Sequence, residues 1–328
     1  MRAAVCDRPG TADVIRVTEV DSPPVPADGV LVRVRAASVN PVDLFALSPV
    51  RNFSRRAAAR GRRQPEVMGH DFAGTVAAVG DAVTHFHVGD DVFGSQAGAF
   101  AEYIAVPEGA GIVHKAAGVT FPDAAAVPVA ALTALQAVRD HGRMQSGQRV
   151  LVNGASGGVG HFAVQIAKAL GGEVTAVCST GKVDTARELG ADHVIDYTRE
   201  DFTESGRRYD LVIDVAGSRP WSRCVRAMEP GATLVITGAS SLIHSAWRMI
   251  GHMAATRLAA LPGSRSAVFF IAKVRQDDLR VLAEMLADGR LRPVIDERWP
   301  LSDVVAACRQ LSQGHARGKI VIDVDESR

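Results

Sequence analysis

No two cysteines of this chain stand close enough in sequence to form a Cys-x-x-Cys pair. The four present, Cys6, Cys178, Cys224 and Cys308, are scattered over 328 residues, which excludes a disulfide framework and a structural zinc knuckle. They read as small apolar core residues in a reducing compartment, the cytoplasm. Charge of one sign is missing too. The formal net charge is +1, so nothing argues for nucleic acid or an acidic partner. No apolar run suits a membrane span: the segment 242–261 is interrupted by His244, Arg248, His252 and Arg257. Arg2, Asp7 and Arg8 leave no apolar core for a signal peptide. Internal repeats and low-complexity tracts are also absent. What the chain has is apolar matter, 47% of its residues, enough for the cores of two domains.

The densest signal is Asn153-Gly-Ala-Ser-Gly-Gly-Val-Gly160, a glycine turn between an apolar run and a helix-like pattern. Backbone approaches a pyrophosphate closely only where side chains are absent, and a helix N-terminus adds unpaired N–H groups and a positive dipole end. Val159, Phe162, Ala163, Ile166 and Leu170 form one apolar helical stripe after the turn. Strand-like runs follow at 173–178, 193–195, 209–215 and 233–237. This alternation predicts a parallel, doubly wound α/β sheet. The first hundred residues differ. Short strand patterns at 1–6, 14–20, 29–37, 74–79 and 103–106, punctuated by Pro, Gly and Asp, predict an antiparallel, partly barrel-like β domain. A helix is expected over 121–142, capped by Thr120 and Asp123 and broken at Pro128. Further on we expect a strand at 267–272, a helix at 277–286, an extended run at 292–298, a helix at 302–311 and a strand at 319–324. The expected domains are 1–121 with 290–328, and 122–289.

Ordered motifs along nearly the whole chain resemble one family. They are Ala37-Ser-Val-Asn-Pro-Val-Asp43, Gly69-His-Asp-Phe-Ala-Gly74, Val88-Gly-Asp-Asp-Val-Phe-Gly94, the glycine turn itself, Leu189-Gly-Ala-Asp-His-Val-Ile-Asp-Tyr197 and Gly318-Lys-Ile-Val321. The chain resembles the medium-chain dehydrogenase/reductase superfamily, in particular its zinc-independent quinone oxidoreductase branch. The resemblance implies a GroES-like, partly open β-barrel domain interrupted by a Rossmann domain, with the active site in the cleft between them. Zinc members of that family hold a catalytic metal with a cysteine, a histidine and a third ligand. Here the cysteine position falls on Asn40 and the third falls near Val129, leaving only His70, so no catalytic zinc is expected. The four-cysteine structural lobe is missing as well. A zinc-assisted alcohol dehydrogenase using His70 and Asp71 is the rival enzyme reading.

The fingerprint reads Ala155, Ser156, Gly157, Gly158, Val159 and Gly160, with Gly154 just before it; these six, together with Gly238, are the expected dinucleotide contacts. An acid at the end of the second strand would bond ribose hydroxyls and repel a 2′-phosphate. The sequence there is Cys178-Ser-Thr-Gly-Lys182, with no carboxylate before Asp184, which suits a dianionic phosphate and predicts NADPH. The resemblance implies the same, since a lysine after the second strand and a tyrosine after the third match Lys182 and Tyr197. Ser179 joins them.

Without a metal, help for a developing oxyanion must come from neutral donors, cofactor hydroxyls or water. Asn40 is the expected catalytic residue and also a cofactor contact; Lys319 is a further cofactor contact. Related enoyl-thioester reductases use a tyrosine early in the cleft. None of Tyr103, Tyr197 and Tyr209 matches that place. The run 50–64 carries Arg51, Arg55, Arg56, Arg60, Arg62 and Arg63 without an acid; it reads as a solvated loop or as a cationic cover that favours anionic ligands, and Phe53 alone is too little for a nucleic-acid surface. The expected function is NADPH-dependent reduction of small-molecule quinones or α,β-unsaturated carbonyl compounds. A non-catalytic NADPH-binding sensor or structural protein is the rival outside enzymology. The apolar edge at 267–272 predicts a homodimer.

Overall fold

The protein is described from a computed structural model at residues 1–47, 66–237, 265–314 and 316–325. The chain divides into two compact units. One is Met1–Ala130 with Val274–Gly289 and Pro293–Arg328; the other is Ala131–Lys273 with Arg290–Arg292. The first unit opens with β1 (Arg2–Cys6), β2 (Arg16–Glu19), β3 (Gly29–Val39), β4 (Glu66–Val67), β5 (Asp71–Val79), β6 (Asp91–Ser95), β7 (Tyr103–Pro107) and β8 (Ile112–His114). The second supplies β9 (Arg149–Asn153), β10 (Glu173–Cys178), β11 (His193–Asp196), β12 (Tyr209–Asp214), β13 (Met228–Ile236) and β14 (Ser266–Phe269). The tail returns to the first unit with β15 (Ile295–Pro300) and β16 (Lys319–Asp323).

In the first unit most pairings are antiparallel, as the alternation of apolar and polar residues requires. The long strand β3 organises it. One edge pairs with β5, while the other takes β7 along Gly29 to Arg33 and β16 along Ala36 to Val39. Sharing one strand among three partners curves the sheet and brings the tail onto the β3 end that leads into Asn40. Phe72, Phe100, Ile112, Ile320 and Ile322 are fully buried in the core that results. The start of the expected strand at 14 is instead a short helical turn, Ala12–Val14, because the Thr11 side chain accepts the Asp13 N–H and caps it. Strands β4, β6 and β8 escaped the sequence reading. In β6 the Asp-rich entry looks like a turn, yet Thr75 bonds Asp91 and the residues after it pair with β5.

All pairings in the second unit's sheet are parallel, in the order β11-β10-β9-β12-β13-β14. The order reverses between β9 and β12, and it is outside the carboxyl ends of such strands that doubly wound sheets hold their ligands. The helix Gly160–Ala169 departs from the expected single stripe. Residues 160 to 167 are all buried, and Leu170, expected on the stripe, is exposed. The reason is tertiary: Gln165 donates to Arg292 O and accepts from Arg292 N, so the chain at 290–292 covers a second face of the helix.

The helix expected over 121–142 breaks before Pro128, giving Phe121–Ala126 and Pro128–Leu135, then a π-helical stretch Gln136–His141. Thr120 caps it, accepting the Asp123 N–H. The helix Gln276–Ala287 groups with the first unit, although 122–289 read as one domain. Its Gln276 side chain donates to Glu108 O and Ile112 O, which ties it to the β7–β8 connection. Among the described residues no helix is long and apolar enough to cross a membrane.

Candidate active site

In the second unit the glycine turn follows β9. Gly154 adopts φ +85°, a conformation that costs other residues strain, so it rather than Ala155 makes the tight turn. Ala155 is fully buried and its N–H bonds Val177 O. It therefore supports the turn from below and offers no donor to a ligand. At Gly160 a Cβ would come within 2.0 Å of Gly154 O, so this position must be glycine for helix and turn to pack. Gly157 is different: the nearest atom to a Cβ there is 3.5 Å away. Among the described residues, the N–H groups of Ser156, Gly158, Val159 and Gly160 have no backbone acceptor. These are donors gathered at a helix start, the arrangement that holds a pyrophosphate. His161, which the sequence reading missed, braces the turn. It is 1% exposed and its Nδ1 lies 2.9 Å from Gly157 O, the donor in that bond.

Ser179, Lys182 and Tyr197 come to the same sheet edge. Ser179 follows β10 directly and Lys182 closes the helical turn Thr180–Lys182. Tyr197 follows β11 directly, and its N–H bonds Cys178 O, which ties the two loops together. Tyr197 is exposed, the Ser179 side is half-buried, and the Cys178 thiol beneath is pushed up to about 11, chiefly by burial. A second missed residue stands here. Asp196, aligned with Cys178 across the β10–β11 pair, accepts the Thr180 hydroxyl at 2.5 Å. Farther along the edge Asn153 donates to Asp214 Oδ1 and to Ser218 Oγ, bridging β9 and the chain after β12 at the reversal of strand order. Gly238 and the arginine run 51–63 lie outside the described residues.

The first unit brings Asn40 and Lys319 together. The pairing of β16 with β3 sets Ile320 opposite Val39, so the residues just outside, 319 and 40, meet. Lys319 Nζ lies 2.5 Å from Asn40 Oδ1 and 3.6 Å from Asp71. Asn40 Nδ2 donates to Asp71 at 2.8 Å and to Ser38 O at 3.2 Å. Lysine has only donors, so the amide oxygen must face it and the assignment of the Asn40 oxygen is chemically fixed. Asp71 also accepts from Ser38 Oγ and Val129 N. Asn40, Asp71 and Lys319 are all at least 98% buried. Burial pushes the Asp71 carboxyl up and the Lys319 ammonium down, each opposed by the partner's charge. Both Asn40 N–H groups are therefore taken, and the donation to a substrate carbonyl expected of this residue has no hydrogen left to make it. Lys319 likewise faces Asn40 and Asp71 rather than solvent. Asp43, missed in the sequence, is fully buried and bonds His70 Nδ1 at 2.6 Å and Asn40 N at 2.7 Å.

This donor set does not fit zinc. A dication would sit beside a buried ammonium, Asp71 already accepts from Ser38, Asn40 and Val129, and His70 is turned onto Asp43. Among the described residues no group of three His, Cys, Asp or Glu side chains could hold a metal ion. The glycine turn does fit a dinucleotide, because its open N–H groups and the space above Gly157 are the features a pyrophosphate needs.

The chain matches two family models, "Alcohol dehydrogenase GroES-like domain" over residues 26–118 and "Zinc-binding dehydrogenase" over residues 189–322. It is 33% identical to the mouse (Mus musculus) mitochondrial NAD(P)H oxidoreductase RTN4IP1, over 99% of this chain and 89% of that one. It is 34% identical to a tomato (Solanum lycopersicum) 2-methylene-furan-3-one reductase, over 95% of this chain and 76% of the relative. The solved quinone oxidoreductase of Coxiella burnetii superposes with a TM-score of 0.85 at 28% identity, covering 99% of each chain. With a GroES-like β unit, a Rossmann sheet in the 3-2-1-4-5-6 order and these relatives along its length, the chain belongs to the medium-chain dehydrogenase/reductase superfamily, in its quinone oxidoreductase-like branch.

Proposed function

We propose that this oxidoreductase uses NADPH to reduce quinones or α,β-unsaturated carbonyl compounds, without a metal ion. One observation carries most of the reading: the open N–H groups of Ser156, Gly158, Val159 and Gly160 share a sheet edge with Ser179, Lys182 and Tyr197. The turn holds the pyrophosphate, with Gly157 leaving room for its approach. Ser179, Lys182 and Tyr197 receive the 2′-phosphate, the lysine by charge and the hydroxyls by hydrogen bonds. Bound NADPH supplies a hydride for an electron-poor double bond. The names of the tomato and Coxiella relatives support this acceptor class, since quinones and methylene-furanones both conjugate a double bond to a carbonyl. Asn40 and Lys319 act as positioning residues that hold the ends of β3 and β16 in register.

The four free cysteines, three of them buried, suit the reducing cytoplasm. A homodimer fits strand β14, which among the described residues pairs only with β13 and is followed by Ile271 at 81% exposure. Sedimentation of the purified chain tests the dimer. The activity is tested by following NADPH absorbance with a panel of quinones and enones. Turnover of at least one class is expected; none with any acceptor overturns the assignment.

A further inference from the structure

We propose that Asp196 is a specificity-determining residue: its carboxylate opposes a 2′-phosphate and holds the preference for NADPH over NADH below what Lys182 alone would set. The inference rests on the reading above, in which the loop 179–182 receives the adenosine end of the cofactor. Along the sequence this loop looks free of acids. The fold changes that, because the parallel register of β10 and β11 sets Asp196 level with Cys178, one residue before the loop begins. Asp196 Oδ2 accepts the Thr180 hydroxyl at 2.5 Å, within the loop itself. Its Oδ1 takes the Thr198 hydroxyl at 2.7 Å and the Thr198 N–H at 3.0 Å.

These donors are neutral. They keep the carboxyl ionised, held below the usual range chiefly by the Thr180 hydroxyl, without cancelling its charge. The paired cation, Arg199, stands 3.7 Å off with its side chain 77% exposed, where solvent screens it. The charges of Asp196 and Lys182 both reach the Cys178 thiol and act on it in opposite directions, so the end of β10 feels both. A dianionic phosphate gripped by Lys182 is repelled by Asp196. A ribose that keeps its 2′-hydroxyl is not repelled, and it can replace Thr180 or Thr198 as a donor to the carboxylate. The two residues thus pull the preference in opposite directions.

The test compares kcat/KM for NADPH and NADH, and the thermal stabilisation by each, in the full chain carrying Asp196→Asn or Lys182→Ala. Asparagine keeps an acceptor for Thr180 and removes the charge. The NADPH/NADH ratio is expected to rise about fivefold in D196N, the scale of one charge acting on a dianion through screened solvent. In K182A it is expected to fall about tenfold. An unchanged or lowered ratio in D196N, with K182A behaving as expected, overturns this inference and leaves the phosphate site standing. A raised ratio in D196N with K182A silent supports the role of Asp196 and removes Lys182 from the phosphate reading.

Discussion

The two chemically dense regions of this chain differ in what their polar atoms are doing. Around Lys319 every named group already has a partner. Asn40 donates through both N–H groups and accepts through its oxygen, Asp71 accepts from Ser38, Asn40 and Val129, and the ammonium lies beside them almost fully buried. Around the glycine turn the donors Ser156, Gly158, Val159 and Gly160 point at no backbone acceptor; Ser156, Val159, Ser179 and Lys182 are half-buried and Tyr197 is exposed. A closed network fixes geometry and resists change; an open one is completed by solvent or by a ligand. Two motifs of similar prominence in the sequence therefore differ: one is paired internally, and the other keeps backbone donors without a backbone acceptor.

The sharpest way to break this contrast is Lys319→Met. If the first cluster is closed, deleting the ammonium leaves a buried carboxylate uncompensated, and the chain should lose about 3–5 kcal/mol in urea unfolding. Adding Asp71→Asn to it should restore much of the loss. A cost under about 1 kcal/mol for K319M alone means the cluster is solvated and the contrast fails.

Next in size are two substitutions three residues apart. Gly160→Ala puts a methyl against Gly154 O and should cost about 2–3 kcal/mol of stability whether or not a cofactor is present. Gly157→Ala meets nothing closer than 3.5 Å, so the free protein should melt almost unchanged. Its Kd for NADPH should nevertheless rise at least about tenfold, because the methyl occupies the approach of the pyrophosphate. If G157A binds NADPH as tightly as the parent chain, the space above that residue has no receptive role.

How much of this was legible beforehand follows from the range of the interactions. The glycine turn, the cap at Thr120 and the break at Pro128 are local, carried by residues within a few positions of each other, and a reading of periodicity and capping finds them. The mostly antiparallel first unit and the parallel second showed in strand texture for the same reason. The partners of Asn40 could not be read so, because Lys319 lies 279 residues away and reaches it only through the β16–β3 pairing. Asp196 escaped because its relation to the loop 179–182 is set by register between neighbouring strands, and Asp43 because its burial under His70 is tertiary. The single-stripe reading of Gly160–Ala169 failed for want of the return chain at Arg292. Motifs pointed to the glycine turn and its unpaired donors; only long-range pairing disclosed that Asn40 has no donor to lend.

A middle case sharpens the comparison by the smallest margin. Asp201 belongs to the second unit and is partly exposed, yet its neighbours satisfy it as fully as Asp71 is satisfied. It accepts from Thr203 N and Thr203 Oγ1, and Arg219 and Arg223 lie 3.0 and 3.2 Å from Oδ2. Burial alone would raise its pKa, but the Thr203 bonds and Arg219 outweigh it and hold the carboxyl below the usual range. A folded pKa below the unfolded one contributes stability that is present above about pH 4 and lost as pH falls through the folded value. The parent chain should therefore exceed Asp201→Asn by about 1 kcal/mol at pH 7, with the gap closing as pH falls below the ordinary carboxylate range and the carboxylate takes up its proton. Unfolding curves of both proteins across that range decide it. A gap that stays constant to pH 2 would mean the effect comes from packing and not from charge, and full local pairing would then mark the Lys319 cluster alone.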